Sequence, residues 1–168
     1  MKTLMVLISV FIISIVYTKL FRKKTDFTLS GKVAMSAMLI FAAIGHFAFS
    51  EGMAMMLPDF IPFKIEIVYI TGILEVAAAI GLLMPKNRVL TAWLLIAFFI
   101  LILPANIYAA IHEIDFQNMN IEGKGLSYLW FRIPLQLFFI AWTFFFCIKR
   151  FKQGEIQINK KNSDEIME

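Results

Sequence analysis

The sequence predicts an all-α integral membrane helical bundle, and three observations lead there. Of its 168 residues, 60% are hydrophobic and only 17% are charged, with a mean hydropathy of +0.78; soluble domains hold about 45–50% apolar residues on a similar count. Five apolar runs approach the length of about 20 residues that a helix needs to cross a bilayer. The basic residues sit at the ends of those runs. That arrangement belongs to membrane topology, so the net charge of +4 does not point to nucleic acid. The partners expected from composition are membrane lipids. A single cysteine, Cys147, excludes an internal disulfide, and no CxxC or Cys/His zinc spacing is present.

The first run, Thr3–Phe21, ends in IVYTKL. It lacks the paired small residues of a signal-peptidase site, so a retained anchor helix is expected. Lys19, Arg22, Lys23 and Lys24 mark its end. The second span covers Ser30–Phe49, and Ser36, Ala43, His46 and Ser50 fall on one helical stripe of it. Ser50–Lys64 is a connector with Met53, Ala54, Met55 and Met56 in a row, then Pro58 and Pro62. Proline interrupts helices, so this reads as a short interfacial segment, either a lid or a plain surface loop.

Phe63–Met84 is the third span. It carries Glu75 on a narrow face with Gly72 and Ala79, and Ala77 and Gly81 add a small-xxx-small pair. A charge at mid-membrane costs about 2.5–3.5 kcal/mol on insertion scales, so Glu75 needs a partner or a purpose. Pro85–Arg88 makes a basic turn. Val89–His112 is the fourth span, with Pro104 and Asn106 towards its far end. A polar loop, Glu113–Ser127, leads to the fifth span, Tyr128–Ile148, with Arg132 and Gln136 on one face. The chain divides into an anchor at 1–24, a four-helix membrane unit at 30–148 and a polar tail at 149–168.

Alternating spans collect Lys19, Arg22, Lys23, Lys24, Lys32, Lys86, Arg88, Lys149, Arg150, Lys152, Lys160 and Lys161 on one side. The other side keeps Lys2, Lys64, Lys124 and Arg132. By the positive-inside rule the N-terminus lies outside and the tail is cytoplasmic. His46, Asn106 and Arg132 then fall near the outer ends of their spans, with Gln136 a turn deeper and Glu75 deeper still. Glu75 is the candidate proton donor or acceptor; His46, Asn106, Arg132 and Gln136 are the candidate ligand-binding groups. Arg132, which stays charged in any protein, is the expected counter-ion of Glu75. A purely structural reading competes, because polar side chains also fix the register of membrane helices. His112 reads as an interfacial histidine. No metal set and no cofactor motif is evident.

The sequence resembles the DoxX-like family of small bacterial membrane proteins. The resemblance rests on Gly45-His46-Phe47, Leu57-Pro58…Ile61-Pro62 and Val68–Glu75, followed by Gly81-Leu82-Leu83…Pro85…Arg88. Pro104–Tyr108 and Trp130…Arg132…Pro134-Leu135-Gln136 complete it, over about Ser30–Phe146. It implies a four-helix membrane bundle in the bacterial inner membrane, to which the first span is an addition. It also implies association with quinone-linked redox systems, with a quinone-like ligand or a membrane redox complex as partner. An assembly factor or accessory subunit of such a complex is the alternative.

Overall fold

The computed structural model describes residues 2–23, 25–123 and 125–149. Helix α1 spans Lys2–Arg22, α2 Phe27–Ala48, α3 Ser50–Met55, α4 Lys64–Leu83, α5 Arg88–Ile111 and α6 Ser127–Thr143. A π-helical turn, Phe144–Lys149, continues α6. Five of these stretches are long and apolar enough to cross a membrane, and the protein is a multi-pass membrane helical bundle. The tail expected at 149–168 lies outside the described residues beyond Lys149.

Two of the helix ends show a local cause. Asp26 caps α2, its carboxylate accepting from the Leu29 N–H at 2.8 Å. Helix α5 continues past Pro104 to Ile111, is capped by His112 and stops in a Schellman motif. There the Ile114 N–H bonds to the Ala109 carbonyl at 2.9 Å, and Glu113 takes the left-handed conformation at φ 52°. The connector holds a real helix, α3, seated against the α5–α6 loop. A Cβ at Gly52 would run into the Phe116 carbonyl, so only glycine permits that approach.

The core follows from which face of each helix is apolar and small. Met35, Met38 and Leu39 of α2 pack with Ala79 and Leu82 of α4, Leu95 and Phe99 of α5, and Leu135 and Phe139 of α6. Outward-facing residues such as Ile73, Leu94, Leu101 and Leu137 stay exposed, as a lipid-facing belt requires. The small-residue stripe of α2 meets α4 antiparallel along its whole length. Ser36 Oγ donates to the Ala79 carbonyl at 2.9 Å, Gly72 sits under His46, and Ser50 Oγ lies 3.3 Å from the Tyr69 hydroxyl.

Helix α1 packs more closely than a free anchor would. Leu7 and Thr18 are buried, Ser14 Oγ donates to Ser30 Oγ at 3.1 Å, and the Phe11 ring meets Trp142 edge-on. The π turn was not expected from sequence. It places Cys147 and Ile148 in the core, where the thiol is fully buried.

One carboxylate organises the first turn of the α5–α6 loop. Asp115 accepts from the Asn118 side chain at 2.8 Å and from the Gln117 N–H at 2.9 Å, which holds its carboxyl below the ordinary 3.8. A depressed carboxyl contributes stability above its unfolded pKa and loses it as the pH falls through the folded value. The Asn118 side-chain amide resonances should therefore shift only below about pH 4. A transition nearer neutrality would contradict this account of the turn.

Candidate functional site

At the centre of the bundle all five long helices contribute to one narrow cavity of ≈ 50 Å³. Thr3 comes from α1, Met38, Leu39 and Ala42 from α2, and Glu75 from α4. Phe99 and Ile102 of α5 and Arg132, Leu135, Gln136 and Phe139 of α6 close it. The walls are mostly apolar, so each polar group facing the cavity has few ways to satisfy itself.

Glu75 is buried, with 5% of its surface exposed. Its Oε2 lies 3.1 Å from His46 Nδ1. That nitrogen is also 3.1 Å from the Ala42 carbonyl, four residues back on its own helix. One Nδ1 proton thus faces two acceptors, and Glu75 Oε2 has no aligned hydrogen-bond donor among the described residues. The close approach depends on Gly72: a Cβ there would sit 3.0 Å from the His46 Cβ. Sequence periodicity placed His46 and Glu75 on small-residue faces, and the antiparallel α2–α4 contact brings the two faces together.

Gln136 is equally buried. Its amide nitrogen donates across to the Phe99 carbonyl of α5, which fixes the orientation of the amide. Its Oε1 is left buried and without a hydrogen-bond partner among the described residues. Two acceptors, Glu75 Oε2 and Gln136 Oε1, therefore lack donors beside the same cavity. Buried polar atoms in this state are rare and call for a reason.

The expected Glu75–Arg132 ion pair is not formed: among the described residues the group within 4.0 Å of Glu75 is His46. Arg132 instead lines the cavity from α6, half-buried, and makes no ion pair there. The depth count put the two residues in the same layer, but it could not say which neighbour reaches first. Asn106 is buried yet turned away from the cavity lining, its Nδ2 donating to the Ile102 carbonyl of its own helix at 3.1 Å. Sequence reasoning missed Thr3, because the first span had been set apart as an anchor. Its hydroxyl near the end of an apolar run was the available signal. Among the described residues no group of three His, Cys, Asp or Glu is placed to hold a metal ion.

The fold and this centre define a multi-pass membrane bundle with an ionisable pair and an arginine in its interior. A domain of unknown function (DUF8561) matches residues 35–147, and the chain belongs to that family. The matched stretch runs from α2 into the π turn and holds His46, Glu75, Asn106, Arg132 and Gln136, leaving α1 outside. No curated protein and no solved structure matches the chain.

Proposed function

We propose that the protein is a DoxX-like, redox-associated membrane protein whose central cavity receives the polar end of a quinone-like or other amphipathic molecule. The observation that carries this reading is the pair of donorless acceptors, Glu75 Oε2 and Gln136 Oε1, beside the Arg132 guanidinium. Arg132 supplies donors to a carbonyl oxygen, Gln136 accepts from a hydroxyl, and Glu75 takes or gives the proton, with His46 holding its carboxylate. The ≈ 50 Å³ cavity has room for a polar end or a few waters. The apolar body would lie among the lipid-facing side chains. Orientation follows the basic residues: N-terminus outside, in a bacterial inner membrane, with the cavity in the outer half of the bilayer.

A second reading is an assembly factor or accessory subunit with a structural polar cluster. It is favoured by the Gln136 amide, which donates from α6 to a backbone carbonyl of α5, as gluing residues do. Extraction of the protein purified with its native lipids separates the two. The first reading expects bound quinone in the wild type and its loss in Arg132→Leu and Gln136→Leu proteins that remain folded. A wild-type protein free of any quinone, or variants that keep it, would overturn the ligand reading.

A further inference from the structure

The bundle has a second, larger hollow that the central site does not use. It lies where α3, the start of α4, the end of α5 and the α5–α6 loop meet, and its volume is ≈ 710 Å³. Pockets that take small organic molecules usually measure about 300–1,000 Å³. Its exposed wall is mainly apolar, built from Met55 of α3, Ile65 of α4 and Ile114 and Ile121 of the loop.

The rim has one sign of charge in excess. Glu51, Asp59 and Glu66 face it with Lys64, and Lys64 is held by Asp59 at 2.7 Å. Asp59 and Lys64 thus neutralise each other. Glu51 and Glu66, from the first turns of α3 and α4, form no ion pair among the described residues. The end of α5 contributes the Tyr108 ring to the same groove, packed on His112 with centroids 4.0 Å apart. A half-buried tyrosine in a groove with two carboxylates favours a cation, because the ring's negative face and the carboxylates attract the same charge.

We infer that this groove binds a small amphipathic organic cation, an amine or quaternary ammonium with an apolar body. The charged head lies between Glu51, Glu66 and the Tyr108 ring, and the body covers Met55, Ile65 and Ile121. The occupant is a soluble cation; the choline head of a membrane lipid shares part of this chemistry, and the experiment separates the two.

Equilibrium dialysis of benzyltrimethylammonium against the full chain in an uncharged maltoside detergent tests the inference. Saturable binding to one site is expected, weakened at least tenfold in Glu51→Gln/Glu66→Gln and in Tyr108→Leu. Both carboxylates are exposed, so the double variant should keep the wild-type melting curve. A zwitterionic alkylphosphocholine should compete poorly, and benzyl alcohol not at all. Absence of saturable binding to the wild type overturns the inference. So does equal binding by the folded double variant, or displacement by the phosphocholine as effective as by a simple amine.

Discussion

His46→Leu is expected to destabilise the bundle by about 3 kcal/mol, and His46→Leu/Glu75→Leu to recover most of that loss. Removing one member of a buried charged pair costs about 3–5 kcal/mol, whereas replacing both by apolar groups is close to neutral. The lower end applies because the His46 side chain keeps 19% of its surface exposed. With His46 gone, Glu75 remains at 5% exposure on a helix face packed against α2, and no other basic group among the described residues lies within 4.0 Å of it. Among the described residues lining the cavity, Arg132 is the other charged group. If it swung over to Glu75, the single variant would lose little and Arg132→Leu added to it would then be severe. Unfolding of the purified protein in a mild detergent, followed by circular dichroism, measures all of these. A double variant no more stable than His46→Leu would contradict the pairing of the two residues.

Gly72→Leu should be nearly as damaging, at about 1–3 kcal/mol for an overpacked contact. The first carbon added would stand 3.0 Å from the His46 Cβ and 3.3 Å from the Phe47 ring. Alanine can be accepted by a shift of a few tenths of an ångström; leucine adds three further carbons with nowhere to go. The Ser36–Ala79 hydrogen bond, 2.9 Å long, pins α2 to α4 a few turns away, so the helices cannot part evenly. They must splay at the His46 end, which draws the imidazole off Glu75. Gly72→Ala is therefore expected to melt close to wild type and Gly72→Leu well below it. Equal melting of the alanine and leucine variants would show that α2 and α4 do not approach at this point.

Much of the bundle was legible in the sequence because lipid imposes a plain rule: backbone groups in an apolar medium must be satisfied within each helix. Apolar length alone then marks the five spans, and each observed helix lies within a few residues of its expected run. The α2 stripe was legible for a similar reason. Small residues at helical spacing can only be useful where two backbones approach, and Ser36, Ala43 and His46 all turn towards α4.

What spacing could not supply was the choice among neighbours in the same half of the bundle. His46 and Arg132 both fall outward of Glu75 by the depth count, and the imidazole is the one in contact because Gly72 lets α2 approach. Asn106 was expected to face the shared cavity, but its amide donates to the Ile102 carbonyl one turn back on its own helix. A continuous apolar run gives no warning of the π turn, nor of a contribution by Thr3 from a helix that shares few polar residues with the rest. The outer groove depends on how a loop and a connector meet, and no periodicity in either foretells that.

Glu75 is held against His46 beside a polar cavity inside the bundle. Solid-state NMR on protein in lipid bilayers tests it most directly, with ¹⁵N in the His46 ring and ¹³C in the Glu75 carboxyl group. The account predicts strong dipolar dephasing, as required of an Nδ1 that lies 3.1 Å from Glu75 Oε2, together with magnetisation transfer from water to the Glu75 carboxyl carbon. No dephasing between the two labels, with a carboxyl carbon that water does not reach, would contradict it.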